Sequence, residues 1–271
     1  MNLRFDELTP EDIDLENTDV VIELTRWCNM SCPHCMRGDR SKFRIKKETI
    51  TKFLDNFTRI DTLVFTGGEP SLAIDLMEFT LQYCRYHGIE VGSFWMATNG
   101  TNPTKKFFEI FREWLDYCDD NEGSGLRVSI DEYHDGIDGI WKFREFTEET
   151  KWSYPAFYLE ERGAPDNHSY LISAGRAVMN YPAGRSIEHS ISLIDWEIKD
   201  EERFPGHIED AIQLSAKGVI LSTCDISFEE EDYPGSDYRI GTVDEPLKES
   251  LVRFFQNFPD RIAEFPERET V

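Results

Sequence analysis

At 271 residues, with 39% hydrophobic and 13% aromatic content, the chain is long enough for one barrel-sized domain with a small appendage, and too apolar for disorder. Its formal net charge of −24 repels phosphate backbones over a Debye length or so, which disfavours nucleic acid as a partner. No stretch approaches 18 apolar residues, and the acidic start at residues 5–12 lacks the basic and apolar regions of a signal peptide, so a cytoplasmic location without a membrane span is expected.

In chain order, the apolar patterns alternate between strand and helix periods, which favours a parallel sheet. Residues 20–25 read as a first strand, and Ile50, Phe53, Leu54 and Phe57 then recur at helical spacing. Residues 61–66 form the second strand, and Leu72, Leu76, Phe79 and Tyr83 stripe a helix that Gly88 ends. Residues 89–96 are the third strand, and Phe107, Phe111, Trp114 and Cys118 mark one face of the next helix. A fourth strand at 125–131, a helix over 137–149, a fifth strand at 156–159 and a sixth at 190–194 complete the series, with 163–184 an ordered loop. From His207 the pattern changes to a hairpin over 212–225 around Lys217-Gly218, then an acidic patch at 229–232 and a closing helix from 245 to about 258.

The chemistry concentrates earlier. Cys28, Cys32 and Cys35 fall within eight residues at C-x3-C-x2-C spacing. Thiolates suit zinc or iron–sulfur centres, but structural zinc wants four ligands, usually two C-x2-C pairs or a pair with distant histidines, and no second pair follows. A cube of four irons held by three cysteines leaves one iron open to a substrate or cofactor. The alternative is a Cys3His zinc site completed by His34 or a remote histidine. Cys84 and Cys118 lie on apolar helix faces and read as core, and with Cys224 they form no disulfide framework. His87 beside Gly88 reads as a helix C-terminal residue.

Three further stretches follow the cysteines in order: Thr66-Gly67-Gly68-Glu69-Pro70, Ala97-Thr98-Asn99-Gly100-Thr101 and Val128-Ser129-Ile130-Asp131. Each lies where a strand ends and a loop begins, the edge that carries chemistry in parallel α/β barrels. Over residues 18–200 these motifs together resemble the radical S-adenosylmethionine superfamily. The resemblance implies an α/β fold, a partial (β/α)6 TIM-type barrel. It implies one [4Fe-4S] cluster per chain on Cys28, Cys32 and Cys35, with S-adenosylmethionine chelating the fourth iron and cleaved by one electron to methionine and a 5′-deoxyadenosyl radical. Gly67, Gly68 and Glu69 would receive the methionyl ammonium. Ser129 and Asp131 would face the ribose or methionyl portion, with Asn99 in the same pocket, and His34 stands where the family usually has an aromatic residue facing the adenine. An electron donor such as flavodoxin or ferredoxin is implied as a partner.

Gly175-Arg176-Ala177 resembles a triplet of many peptide- and protein-modifying members, and Arg176, expected among the cofactor-binding residues, can pair with a carboxylate through its fork; a surface-loop arginine is the alternative. Residues 205–271 resemble the SPASM or twitch region without its metal ligands, of which Cys224 alone remains in a ligand's position. The expected division is an N-terminal extension at 1–17, a core at 18–204 and the extension at 205–271. Arg37, Arg40, Lys42, Arg44, Lys46 and Lys47 form a basic stretch, either a solvated face or a strip that steers an anionic substrate or acidic peptide. Together these features tilt the expected substrate toward a peptide or protein side chain, brought by a separate recognition partner because no leader-binding domain precedes residue 18. A small metabolite is the enzymatic alternative, and a non-catalytic zinc or iron–sulfur protein the other. His134, beyond the fourth-strand motif, is a candidate for catalysis; Tyr133, Tyr158 and Cys224 are candidates by residue type for quenching the product radical.

Overall fold

The computed structural model describes residues 5–119, 123–130, 140–154, 158–162, 172, 174–180, 191–199 and 202–262. After a short β1 (Ile13–Asp14), the run Thr18-Asp-Val-Val-Ile-Glu-Leu-Thr forms β2 (Thr18–Thr25), buried along nearly its whole length as a strand covered on both faces must be. Four helix–strand units follow: α1 (Lys47–Leu54) with β3 (Arg59–Gly67), α2 (Ile74–His87) with β4 (Glu90–Thr98), α3 (Lys105–Tyr117) with β5 (Gly125–Ser129), and α4 (Ile140–Thr150) with β6 (Tyr158–Arg162). β2 to β6 pair in parallel, each with the next, which makes a partial TIM-type barrel.

Phe53 on α1 and Phe107, Phe111 and Trp114 on α3 are fully enclosed, on the faces that the sequence marks. On α2 the enclosed face is that of Leu76, Met77, Leu81 and Cys84, while Phe79 and Tyr83 of the expected stripe are half-buried and Leu72 lies in the turn before the helix. Trp114 stacks on Phe94 of β4 with ring centres 5.0 Å apart. Its roughly 200 Å² of surface, at about 25 cal/mol per Å², contributes on the order of 5 kcal/mol of burial energy. Gly88 ends α2 in the left-handed region at φ 69°, donating to the Cys84 carbonyl.

The sixth strand is a correction. α5 (Gly175–Asn180) is followed by β7 (Ser192–Ile194), β8 (Glu197–Lys199), β9 (Glu202–Phe204) and β10 (Gly206–Glu209). β7 pairs antiparallel with β10, and β10 pairs parallel with β1, so residues 192–194 belong to a separate three-stranded sheet. Only the middle residue of β7 is buried, the alternation of a strand covered on one face rather than two. The sixth parallel position is taken at the other edge by β11 (Ala211–Leu214), whose Ile212 and Leu214 pair with Val20 and Ile22 of β2. β11 turns at Gly218, φ 82°, into β12 (Val219–Leu221), as the hairpin pattern predicts. α6 (Phe228–Asp232), β13 (Arg239–Thr242) beside β12, and α7 (Leu247–Asn257) follow. Residues 211–242 are therefore woven into the barrel sheet at the edge of β2, the strand that feeds the cysteines. No helix among the described residues is long and apolar enough to cross a membrane.

Candidate functional site

The carboxyl ends of β2, β3, β4 and β5 surround a cavity of about 160 Å³. Its walls include Cys28, Cys32, His34 and Cys35 from the loop after β2, Gly67, Gly68 and Glu69 from β3 and its end, Asn99 after β4, and Ser129 of β5. Arg176, expected among the cofactor-binding residues, does not line it, nor does Cys224, a candidate for quenching the product radical. Asp131, Tyr133, His134 and the Tyr158 side chain lie outside the described residues.

Two glycines let the second strand close on the cysteine loop. Gly67 has φ 146°, and a Cβ there would lie 2.2 Å from the Thr25 carbonyl oxygen. A Cβ on Gly68 would lie 2.5 Å from the Trp27 oxygen. No side chain fits either approach. The contact is used: the Gly68 N–H donates to Thr25 at 2.6 Å, and the Glu69 N–H to Trp27 at 2.9 Å.

Glu69 is 1% exposed. Its Oε1 accepts from the Ser71 N–H at 3.0 Å and the Thr98 hydroxyl at 2.6 Å, and its Oε2 from the Asn99 N–H at 2.7 Å. Burial raises its pKa, and the three donors oppose that rise without cancelling it. All three partners are neutral, and no cationic side chain pairs with it among the described residues. A buried carboxylate held by neutral donors beside a cavity is able to receive a cation.

The cysteine loop is tied down by its backbone. Arg40 donates to the Cys28 and Met30 carbonyls at 3.0 and 2.9 Å. Arg176 donates through Nε to the Cys32 carbonyl at 3.0 Å and through its N–H to Cys35 at 3.0 Å, and Asn180 reaches Pro33 at 2.8 Å. Gly175, φ 54°, allows this approach, since a Cβ there would sit 2.3 Å from the Met36 oxygen. Arg176 thus addresses the loop and, at 3.2 Å, the Asp39 carboxylate rather than the cavity. Asn99 joins the two halves, donating to Asn29 at 3.0 Å with its amide nitrogen 3.6 Å from the Cys28 sulfur.

The basic stretch is not one solvated strip. Arg37 is 6% exposed, Arg40 holds the loop, Arg44 pairs with Asp75, and the Lys47 ammonium lies 4.7 Å from the Phe79 ring centre. Cys224 is also accounted for locally: its sulfur lies 3.8 Å from Asp225, and burial pushes its thiol up to about 12.

Four-coordinate zinc needs its ligands to meet within about 2.0–2.3 Å of one centre. Among the described residues no three histidines, cysteines or acids are gathered tightly enough to hold a single ion. The three cysteines share the wall of a cavity that also meets Glu69. That donor set suits a larger soft-metal group with one position open toward a cationic ligand.

Comparison with known proteins bears on the family and the fold. A family model described as the Radical SAM superfamily matches residues 22–153. The chain is 31% identical over 127 residues, 44% of its length and 37% of the relative's, to the putative peptide biosynthesis protein YydG of Bacillus subtilis (strain 168). It is 27% identical over 103 residues, 36% of its length and 29% of the relative's, to the S-adenosylmethionine-dependent nucleotide dehydratase RSAD2 of Oncorhynchus mykiss. The chain spans between 29% and 48% of the length of the curated relatives it matches. Among solved structures, native anSMEcpe with bound AdoMet and Cp18Cys peptide superposes with a TM-score of 0.53 at 13% identity, covering 89% of this chain and 81% of the other, a likeness of fold.

Proposed function

We propose that the chain is a radical SAM enzyme, as the family model over residues 22–153 supports, that Cys28, Cys32 and Cys35 are the ligands of its [4Fe-4S] cluster, and that Glu69 is the receptor for the methionyl ammonium of S-adenosylmethionine. The observation that carries this reading is the Glu69 carboxylate, buried, fixed by three neutral donors and without a cation of its own among the described residues. Once bound there, the two cofactors supply reductive cleavage of the sulfonium and a 5′-deoxyadenosyl radical that takes hydrogen from a substrate.

The chain's own residues do the placing. Gly67 and Gly68 bring the backbone of β3 against the loop, so that Glu69 and the cysteines keep a fixed spacing. His34 and Ser129 line the same cavity and address the adenosine portion, with Asn99 bridging the loop and the end of β4. Asp131 follows Ser129 in the chain and extends the same assignment. Arg176 acts through the Cys32 carbonyl, as a positioning residue.

For substrate, we favour a peptide or protein side chain, supported by the relative named as a putative peptide biosynthesis protein. The relative named as a nucleotide dehydratase supports a small-molecule substrate as the second reading. The net charge of −24 disfavours polyanions as partners. Flavodoxin or ferredoxin is the proposed electron donor, and residues 18–204 and 205–271 the proposed core and extension.

Anaerobically reconstituted, reduced protein given S-adenosylmethionine is expected to release 5′-deoxyadenosine and to carry about four irons per chain. Tetrahedral zinc without a brown chromophore, or full cluster loading without 5′-deoxyadenosine, overturns the proposal.

A further inference from the structure

The residues that bracket the three cysteines are locked to a carboxylate nearly 200 positions away. Arg26 stands two residues before Cys28, and Arg37 two after Cys35. Both are buried, at 3% and 6% exposure, and both guanidiniums meet Glu231, which is 0% exposed. Arg26 Nη2 donates to Glu231 Oε2 at 2.8 Å, and Arg37 Nη2 donates to Glu231 Oε1. Glu23, at the end of β2, closes the ring from the other side, 3.5 Å from Arg26 Nε and 3.4 Å from Arg37 Nη2. Gln213 of β11 donates to Glu231 at 2.5 Å, and the Ala216 N–H donates to Glu23 at 2.7 Å. The Arg37 guanidinium also donates to the carbonyls of Cys224 and Ile226, at 3.2 and 2.5 Å. Both guanidinium carbons lie 4.7 Å from the Phe228 ring centre.

We infer that Glu231 is a positioning residue for the cysteine loop: with Glu23 it clamps Arg26 and Arg37, fixing both ends of the loop before any cofactor is bound. A buried ion-pair ring is a poor way to stabilise a fold, because apolar packing of the same volume does as well; what it fixes is register. Here the register is that of the loop's two stems against each other and against β11 and α6. A loop already ordered loses no further freedom when a cofactor arrives. The segment 211–232 then acts on the cysteines through charge and backbone contacts, with no metal ligand of its own required. This inference rests on the proposed role of Cys28, Cys32 and Cys35.

Hydrogen exchange on the apo-protein tests it without using activity. Glu231→Gln keeps the shape and removes the nearer of the two charges that both guanidiniums share. It is expected to speed exchange at residues 27–38 at least ten-fold while β3 and β4 keep wild-type protection, with iron uptake falling alongside. Glu231→Asp, which keeps the charge, is expected to restore part of both. Phe228→Leu, a milder change, is expected to raise loop exchange about three-fold with β3 and β4 unmoved, and it decides the matter if Glu231→Gln does not fold. Loop exchange at the wild-type rate in the variants, or exchange rising equally in β3 and β4, overturns the clamp. Failure of wild-type protein to assemble an iron–sulfur cluster instead overturns the cofactor assignment, and leaves the exchange result to stand on its own.

Discussion

Glutamine at position 69 separates the binding role of that carboxylate from its structural one. In the folded protein Glu69 accepts from the Ser71 N–H, the Thr98 hydroxyl and the Asn99 N–H. The Thr98 hydroxyl can rotate to accept, but a backbone N–H cannot, so either orientation of the glutamine amide leaves one backbone donor facing an NH2. An unmet buried donor costs about 1–3 kcal/mol. Against this, the variant no longer buries a charge that lacks a countercharge, the burial that raises the Glu69 pKa. The apo-protein should therefore lose no more than about 2 kcal/mol. Binding of S-adenosylmethionine has no such offset. An ammonium about 3 Å from a carboxylate at an effective dielectric constant near 20 gains about 5.5 kcal/mol of Coulomb energy. Desolvation leaves a net of about 1.5–3 kcal/mol for a charge-assisted bond, which weakens Kd by about 10- to 150-fold when lost. Calorimetric titration of anaerobically loaded protein, beside urea unfolding of the apo-protein, measures both quantities. A Kd within three-fold of wild type refutes the ammonium assignment, and a loss of more than about 4 kcal/mol in the apo-protein makes the carboxylate structural.

Gly67→Ala should cost about 3 kcal/mol or more in urea unfolding, because it forces an L-residue to φ 146° and sets a Cβ 2.2 Å from the Thr25 oxygen. A loss below about 1 kcal/mol refutes the close approach of β3 to the loop. Stability should also titrate through Glu23, whose pKa is pushed up to about 7 by burial first and then by the Glu231 charge, against the pull of Arg37 and Arg26. A carboxyl raised from its ordinary value of 4.5 binds its proton more tightly in the folded state, so its contribution is complete below that value and is lost as pH rises toward about 7. Urea unfolding between pH 4.5 and 7.5 should show that decline in wild type and a shallower slope in Glu23→Gln; equal slopes refute it.

The strand-end residues are legible because their chemistry constrains residue type. Only glycine fits within 2.2 and 2.5 Å of the carbonyls facing positions 67 and 68, and only thiols in a short loop give three soft ligands. The helix stripes and the turn at Gly218 are legible for the same local reason. The sixth strand is not, because a three-residue strand carries too little pattern to name its partner, and residues 192–194 and 211–214 compete for the place on length and burial alone. Arg37 reads as one of six cations within residues 37–47, since a linear sequence does not tell which of them turns inward. Glu231 is hidden likewise in an acidic run, although one signal exists. It stands three residues after Phe228 on a helix capped by Ser227, so the two share a face, and both are buried.

The distribution of charge around the loop sharpens the argument for Glu69. Arg26, Arg37, Arg40 and Arg176 all surround the cysteines, and each is committed to another partner: the first two to Glu23 and Glu231, with Arg26 also on Asp232, Arg40 to backbone carbonyls, and Arg176 to the Cys32 carbonyl and Asp39. Glu23 and Glu231, as buried as Glu69, receive two guanidiniums between them, whereas Glu69 receives neutral donors alone among the described residues. Under the proposed assignment the countercharge comes with the ligand. S-adenosylmethionine carries two cationic centres, an ammonium and a sulfonium, and S-adenosylhomocysteine keeps only the first. If Glu69 reads the ammonium, Glu69→Gln weakens both ligands by the same factor in calorimetry. A loss confined to S-adenosylmethionine would move the carboxylate's partner to the sulfonium and reverse the orientation proposed for the ligand in the cavity.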